Sequence, residues 1–467
     1  MNRSAARWAP MSFAALATCL LGGLASAHPP GGHGDPPKRD AILDWNAVAL
    51  DAIARDYSDP AGPVEQRGPT RATRALAIVH AAIFDAVNSI VGTHEPYSTL
   101  LPAPGASIDA AVAAAAHRTL TALYPGQATT FSGILDDYLA EIPESESKED
   151  GRALGGAVAD EILAQREDDG ADAPISYTPG AEPGMHRPDP LYPDQGYLTP
   201  QWGDVRPFAL AGGDEFRSPP PPPRWSAAYA LSFYEVFSLG GDGAITPTLR
   251  TPEQTVIGIF WSYDGARRIG DVPRLYNQIA RAVAVQKSNS EIENARYFAL
   301  VNIAMADAGI ATWDTKYHYD FWRPIVAIRL AHTDENALTI PDRRWTPVGS
   351  PGSNQSLPRM TPPFPSYVSG HSSFGSAMFQ VLTRYYGKDR VSFCARSDEY
   401  NGITTDARGN VRPAIKRCYS SFSQAAQENA ASRIYLGVHW RFDAVEGMRQ
   451  GKKVGSAVFD RVLRPLD

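Results

Sequence analysis

The sequence predicts an all-α protein built from two helical bundles. Apolar residues recur at three- and four-residue spacing along most of the 467-residue chain, and alternating strand-type patterns are nearly absent. A stretch rich in Gly, Pro and Asp, 170–224, separates two such regions, each long enough for a bundle. The composition, 43% hydrophobic and 20% charged residues, is that of a globular chain with a large core and excludes a disordered one.

The first 40 residues predict an export signal followed by a flexible leader. Two arginines precede an apolar stretch, 11–24, and a small-residue cleavage site, 25–27, so residues 1–27 are typical of a secretory signal peptide. Residues 28–40, rich in Pro, Gly and His, predict the leader. An uncleaved membrane anchor is the alternative, but the apolar stretch is shorter than the ~20 residues that a span needs. We therefore expect a secreted or periplasmic protein with no membrane span in its mature part.

The predicted helices fall into an N-terminal region, 41–224, which includes the proline-rich loop, and a C-terminal region, 225–467. The periodicity predicts helices in the first region at 42–54, 72–90, 108–123, 131–142 and 153–164. In the second region it predicts them at 226–238, 252–263, 275–287, 291–309, after Trp322, and at 370–386, 419–436 and 440–463.

Cys394 and Cys418 are the two cysteines that follow the predicted signal peptide, and they lie in a loop-like stretch between two predicted helices. Two cysteines in an exported chain favour a disulfide between them. The spacing alone does not bring their Cβ atoms together.

The charge balance argues against a nucleic-acid partner. The chain has 44 basic and 51 acidic residues, a formal net charge of −7, and so lacks the basic surface of a nucleic-acid-binding protein. Any anion that it binds must be held by a few local cations.

The first of three polar clusters in the C-terminal region is 313–324. It sets Lys316 and Arg323 among aromatic residues. On one continuous helix these two cations would lie nearly above each other, but Pro324 disfavours the helical conformation at Arg323. A cation–π surface explains this cluster as well as an anion site does.

In the second cluster a proline-rich loop leads directly into a predicted helix. Ser369 stands at the N-cap, Gly370 allows close backbone approach, and His371 follows. The free N–H groups of a helix N-terminus attract anions. Simple capping beside a solvated histidine is the alternative.

The third cluster contains Arg433 and His439, which are separated by about 600° of helical rotation and cannot face one point from a straight helix. Gly437 offers a break, so that one helix ends near Arg433 and the next begins near His439. Asp443, four residues beyond His439, can then orient the imidazole. A core histidine with a local partner is the alternative. Together the clusters supply guanidinium, ammonium, imidazole and backbone donors, a set that suits a tetrahedral oxyanion.

These motifs carry a resemblance to a known family. Lys316-x6-Arg323-Pro324, then Ser369-Gly370-His371, then Ser432-Arg433-x5-His439-x3-Asp443 resemble the signature of the vanadium haloperoxidase and type 2 phosphatidic acid phosphatase superfamily. Within it, the stretches 260–265, 361–386 and 428–444 are most similar to the fungal vanadium chloroperoxidases. The resemblance covers roughly 250–444. Val368 departs from it, since the superfamily usually has proline there, but the change removes no functional atom.

The resemblance implies a role for each matching residue. His439 corresponds to the ligand that bonds to the vanadium of orthovanadate, and His371 to the acid–base histidine. Asp264 looks like the carboxylate that pairs with the second arginine, and Trp313 and Phe364 like the aromatic lining of the halide pocket. The residues that match the binders of the vanadate oxygens are Lys316, Arg323, Ser369, Gly370 and Arg433.

The function implied is that of an exported haloperoxidase with vanadate as cofactor and with hydrogen peroxide, halide and a small organic acceptor as partners. One alternative is an acid phosphatase of the same superfamily, because phosphate and vanadate share shape and charge. His439 would then attack the phosphoester and His371 would protonate the leaving group. The aromatic pair favours the haloperoxidase, since it suits a weakly hydrated halide. A non-catalytic oxyanion-binding protein, a third hypothesis, would not need His371.

Overall fold

The computed structural model describes residues 39–58, 64–355 and 360–466, and helices dominate them. The predicted all-α class is confirmed. The predicted signal peptide and nearly all of the leader lie outside the described residues. The α-helices of the described parts are α1 (Ala41–Asp56), α2 (Gly68–Val91), α3 (Ile108–Leu123), α4 (Ala128–Ala140), α5 (Glu146–Glu167), α6 (Ala227–Leu239), α7 (Pro252–Phe260), α8 (Val272–Lys287), α9 (Glu291–Tyr319), α10 (Pro324–Arg329), α11 (Gly370–Tyr385), α12 (Phe422–Tyr435) and α13 (Arg441–Arg461).

Two short antiparallel hairpins interrupt the helices. One pairs β1 (Asp264–Ala266) with β2 (Gly270–Asp271), and the other pairs β3 (Phe393–Arg396) with β4 (Lys416–Tyr419). The second hairpin corrects two expectations, since part of the loop-like stretch is a sheet, and the helix predicted from 419 begins only at Phe422. Likewise, the helix predicted over 252–263 ends at Phe260.

The second hairpin also brings the two cysteines together. Cys394 and Cys418 are directly opposite in its register, with Cα atoms 4.0 Å apart, and their sulfur atoms are bonded. The predicted disulfide is therefore confirmed. The disulfide closes a chain segment that contains Asp398 and Glu399. Glu399 accepts a hydrogen bond from the Ser262 hydroxyl, just before β1, and Asp398 accepts one from Arg274, in the helix that follows β2.

The long helix α9 organises the interior. It packs against α2, α11 and α13, and nearly every residue from Asn294 to Lys316 is buried. The predicted helix stopped at 309 because a helix buried all round its circumference has no amphipathic period to follow. The N-terminus of α9 is set by a capping box between Ser290 and Glu293. At its other end Asp320 adopts the left-handed conformation with φ 49°.

The main hydrophobic core draws on both predicted regions, from Trp45 of α1 to Val458 of α13. A second cluster surrounds Trp440 and includes Phe233 and Ile325. Asp40–Asp467 form one compact unit by their contacts. The division of the helices into two bundles at 224/225 stays a prediction.

Helix α2 is long and apolar enough to span a membrane. This differs from the expectation that no segment after the predicted signal peptide would be. In the structure, however, 83% of the most apolar 18-residue stretch of α2 is buried. That burial is what a core helix of a globular protein shows.

The proline-rich stretch 170–224 is an ordered connection, with the 3₁₀ turn Pro200–Asp204 as its regular element. A buried carboxylate of α9, Asp307, accepts the backbone N–H groups of Phe208 at 2.7 Å, Ala209 at 2.8 Å and Leu210 at 3.0 Å. Burial raises the pKa of Asp307 to about 6, and the three N–H donors oppose that shift. This carboxylate attaches the long loop to the central helix.

We expect Asp307→Asn to lower the free energy of unfolding by about 2 kcal/mol, because the amide has a single acceptor oxygen and would turn N–H donors toward buried N–H groups. Urea denaturation at pH 7 measures the change. Asp137→Asn, at an exposed position of α4, is the control and should shift stability by less than about 0.5 kcal/mol. Equal stability of the two variants would contradict the assigned role of Asp307.

Candidate active site

The three polar clusters meet at one pocket of about 560 Å³. Lys316 and Arg323 are buried behind its lining, where both lie against the ring of Phe364. The predicted site residues that line the pocket itself are Trp313, Asp264, Phe364, Gly370, His371, Arg433 and His439.

Lys316 and Arg323 reach this place from two different helices. Lys316 belongs to the last turn of α9, and Arg323 is the N-cap of α10, after the chain has turned at Asp320. The Lys316 Nζ donates to the carbonyls of Pro365 at 2.8 Å and Ser366 at 3.0 Å. An ammonium group has three hydrogens, so one stays available.

Arg323 is held in the same way, by backbone oxygen. Its Nε donates to the Phe364 carbonyl at 3.0 Å and its Nη1 to the Val438 carbonyl at 2.8 Å. Its Nη2 is buried and has no hydrogen-bond partner among the described residues. Nη1 also lies 3.2 Å from His439 Nε2, so Nη2, with its two hydrogens, is the donor nitrogen of Arg323 that stays unused among the described residues.

The N-terminus of α11 forms another side of the pocket. The Ser369 Oγ accepts the Ser372 N–H at 3.4 Å, and the Ser369 N–H donates to the Asp443 carbonyl at 3.0 Å. The Ser369 N–H is thus used by the protein itself, whereas the N–H of Gly370, the first residue of the helix, has no intrahelical partner.

His371 has a defined tautomer in this position. Its Nε2 lies 2.7 Å from the Ser262 carbonyl, which can only accept, so Nε2 carries the hydrogen and Nδ1 of the neutral ring keeps a lone pair. The His371 carbonyl accepts from Tyr276 Oη and Asn429 Nδ2, both at 2.8 Å. Two side chains thus hold the backbone of His371 and a carbonyl holds its ring.

The chain between α12 and α13 presents Arg433 and His439 to the same pocket. Gly437 makes the break, with φ 73°, a conformation that other residues rarely adopt. Arg433 lies in the last turn of α12, and His439 comes two residues before α13. The Nδ1 of His439 lies 2.8 Å from Asp443 Oδ2, so this nitrogen carries the hydrogen and Nε2 keeps its lone pair.

Arg433 makes a bidentate pair with Asp264 of β1, with distances of 2.8 and 3.2 Å from its two terminal nitrogens. Its Nε is buried without a partner among the described residues. The Oδ1 of Asp264 also lies 3.9 Å from His371 Nε2. Asp264 therefore fixes the guanidinium and leaves its Nε free for another acceptor.

Burial dominates the electrostatics of the site. It lowers the pKa of Lys316 well below the usual range, with help from Arg323, and it lowers the pKa of His439 and of His371 beside the same cations. It also lowers the pKa of Arg323 to about 9 and raises that of Asp443 to about 6. The neighbouring cations add to the effect of burial in lowering the pKa values of Lys316, Arg323 and His439, and a bound anion would counteract that part. At Asp443 the same cations oppose the rise in pKa that burial causes.

The donor set fits a tetrahedral oxyanion such as orthovanadate. Within the described parts of the chain, Arg323 Nη2 and Arg433 Nε are buried donors without acceptors. His439 Nε2 has a lone pair that a ligand could take over from Arg323 Nη1. Across the described ranges, no group of three or more His, Cys, Asp and Glu side chains could hold a metal cation. The pocket has the chemistry of an anion site.

The aromatic pair lies against the cations. Trp313 and Phe364 have ring centroids 4.8 Å apart, and the Phe364 centroid lies 5.0 Å from Lys316 Nζ and 4.8 Å from the Arg323 guanidinium carbon. The cation–π contacts considered from the sequence therefore exist, and they form part of the pocket wall.

Several residues that hold the site were missed by the sequence analysis. The Leu198 carbonyl accepts from Trp313 Nε1 at 3.2 Å, and the Ser262 carbonyl accepts from His371. The Ser366 hydroxyl donates to Asp443 Oδ2. Backbone carbonyls and a lone serine leave no recognisable pattern. Val368, the departure from the superfamily pattern, is fully buried in the second hydrophobic cluster.

The sequence does contain one local signal for the packing around the site, a stripe of glycines on α13. Gly447, Gly451 and Gly455 recur every four residues and face α11. A Cβ on Gly447 would lie 2.6 Å from the Ser369 carbonyl oxygen, and one on Gly451 would lie 2.1 Å from that of Ser373. The stripe allows the two helices to approach closely and thereby positions the N-terminus of α11.

Comparison with known proteins gives consistent results. A family model described as the VCPO second helical-bundle domain matches residues 296–467. The vanadium chloroperoxidase of Curvularia inaequalis is 33% identical over 488 aligned residues, which cover 86% of this chain and 79% of that protein. The crystal structure described as the first bacterial vanadium-dependent iodoperoxidase has a TM-score of 0.74 and 25% identity, covering 93% of this chain and 99% of its own. A holo-type bacterial vanadium-dependent chloroperoxidase, 17% identical over 89% of this chain and 97% of its own, has a TM-score of 0.67 and shares the fold.

We expect Gly447→Ala to weaken orthovanadate binding about tenfold, because the new methyl group must push Ser369 and the first turn of α11 away from the pocket. Isothermal titration calorimetry measures the affinity. Gly156→Ala in α5, where a Cβ meets nothing within 4 Å, is the matched control. The control should keep full affinity and gain about 0.5–1 kcal/mol of stability. Unchanged binding in Gly447→Ala would show that the close helix contact does not set the geometry of the site.

Proposed function

Because this chain belongs to the vanadium haloperoxidase family, we propose that it oxidises halide with hydrogen peroxide and uses orthovanadate as its cofactor. The observation that carries the proposal is the convergence of three buried cations near a histidine whose Nε2 lone pair faces them, with Arg323 Nη1 3.2 Å from that nitrogen. Hydrogen peroxide accepts two electrons from the halide and one proton is taken up, so that the products are hypohalous acid and water. A small organic acceptor then consumes the hypohalous acid.

The residues that would hold vanadate follow from their unused donors. His439 Nε2 would be the ligand of the vanadium, with Asp443 fixing the ring from the other side. The groups that would bind its oxygens are Lys316, Arg323, Arg433, Gly370 and Ser369. When bound, vanadate supplies an electrophilic centre that activates peroxide without changing its own oxidation state.

His371 acts as the base for incoming hydrogen peroxide. The Ser262 carbonyl holds the hydrogen on Nε2, so Nδ1 is the atom that accepts a proton. Burial and Arg433 keep the pKa of His371 low, and the ring is neutral before the reaction. The same group returns the proton when the product leaves.

Lys316 and the aromatic pair prepare the oxidation of the halide. The third ammonium hydrogen of Lys316, which neither Pro365 nor Ser366 uses, polarises the oxygen that the halide attacks. Trp313 and Phe364 exclude water from the approaching halide and present weakly positive ring edges to it.

A second candidate is phosphatase activity of the vanadate-free protein. The same lone pair on His439 Nε2, supported by Asp443, could attack a phosphoester, since phosphate presents the same tetrahedral oxygens to the same cations. The aromatic wall is what favours halide as the substrate.

Export of the chain is part of the proposal. The predicted signal peptide and the Cys394–Cys418 disulfide support it, because disulfides persist in oxidising compartments. We therefore propose a secreted or periplasmic enzyme.

With orthovanadate and hydrogen peroxide added, the purified chain should oxidise halide, and the two histidine variants should fail differently. His439→Ala should lose stoichiometric orthovanadate binding. His371→Ala should keep it and lose about 10²–10⁴-fold in turnover, the usual contribution of acid–base help. Calorimetry and a halide-oxidation assay separate the two effects.

His117→Ala, at a partly exposed position of α3, is the control and should change neither quantity. A parallel phosphatase assay on vanadate-free protein tests the second candidate. Absence of halide oxidation in a protein that binds orthovanadate, together with turnover of a phosphoester, would replace the first proposal by the second.

Replacing Trp313 or Phe364 singly by histidine should lower chlorination far more than bromination, by about tenfold or more in the ratio of kcat/KM values. Chloride is the harder halide to oxidise and to strip of water, so it depends more on the apolar wall. Steady-state kinetics with both halides give the ratio. Orthovanadate affinity is the internal control and should change little, and equal losses with chloride and bromide would assign the rings a purely structural role.

A further inference from the structure

A second pocket, of about 500 Å³, lies between the proline-rich stretch 170–224 and helix α10. It has no lining residue in common with the first pocket. The residues that matter to its chemistry are Arg187, Pro190, Val326, Arg329, Leu330 and Arg343. The same six-residue helix thus carries Arg323 at its N-cap and part of a separate pocket at its other end.

The three arginines of this pocket lack carboxylate partners. Among the described residues, none of Arg187, Arg329 and Arg343 forms a salt bridge. The Nε of Arg187 is buried without an acceptor. Arg329 donates from Nε to the Trp345 carbonyl at 2.9 Å, and its charge is not neutralised by that contact.

Asp189 and Asp342 are the carboxylates that act electrostatically on Arg329, and among the described residues neither forms a salt bridge with it. Asp189 accepts the Leu191 N–H on one oxygen and the Thr361 N–H and hydroxyl on the other. Asp342 accepts the Arg344 N–H at 2.8 Å. The described residues that line the pocket include three arginines and no carboxylate, so in a chain of net charge −7 the lining is a local concentration of positive charge.

We propose that this second pocket binds an organic anion with one carboxylate, sulfonate or phosphate head and an apolar body. Guanidinium groups recognise such heads bidentately, and three arginines line this pocket. Pro190, Val326 and Leu330 supply the apolar surface for the body. The volume is in the range of pockets for small organic ligands.

Calorimetric titrations with benzoate, phenyl phosphate and benzenesulfonate test the proposal, with inorganic sulfate and neutral benzyl alcohol as comparisons. At least one organic anion should bind, and at least tenfold more tightly than either comparison compound. The affinity should fall as salt is raised, because salt screens the exposed charges. The order of the three organic anions identifies the preferred head group.

Arg343→Glu localises the binding, and Arg344→Glu, its exposed neighbour outside the pocket, is the matched control. We expect at least a tenfold weaker affinity in the first variant and a change of less than about twofold in the second. Binding in His439→Ala should equal that of the wild type, which separates this pocket from the first. Equal affinity in Arg343→Glu and Arg344→Glu, tighter binding of sulfate than of every organic anion, or no binding at all would overturn the proposal.

Discussion

The structure depends on the burial of three cations within one small volume. A buried charge is costly unless it is paired or hydrogen-bonded, and Asp264 and Asp443 are the two carboxylates that the site supplies for Lys316, Arg323 and Arg433. Backbone carbonyls of the proline-rich loop before α11 and of the turn before α13 complete the solvation. The donors that remain unpaired define where an oxyanion fits.

This electrostatic requirement explains why the surrounding helices pack as they do. The carbonyls that face the cations come from the segments just before α11 and α13, and the glycines of α13 allow these two helices to approach closely. The unwound residues between Gly437 and Trp440 let one segment provide both a carbonyl for Arg323 and the imidazole of His439. The irregular backbone at these turns thus places the hydrogen-bonding groups of the site, while the buried helix α9 supports them.

Much of this could be predicted from the sequence, because its signals are local. Helical periodicity gave the class and most helices, and the three clusters of cations and histidines gave the residues of the pocket. The end of α9 was missed because a fully buried helix has no polar face. Leu198 and Ser262 contribute through their backbone carbonyls, so the identity of their side chains does not indicate their role in the site. The strands at 393–396 and 416–419 depend on pairing over a long separation, which propensity does not encode.

The contact between Arg433 and Asp264 joins residues 169 positions apart. A shortened chain that begins at α9 would retain Lys316, His371 and His439, yet it would leave the Arg433 guanidinium without its carboxylate and remove the carbonyl that orients the His371 ring. The chain from α9 onward is thus not sufficient to form the site, although it contains Lys316, His371 and His439. Grafting the C-terminal helices onto another scaffold would have to recreate the β1 hairpin as well, since Asp264 in β1 supplies the carboxylate for Arg433 and Ser262 just before it supplies the carbonyl for His371.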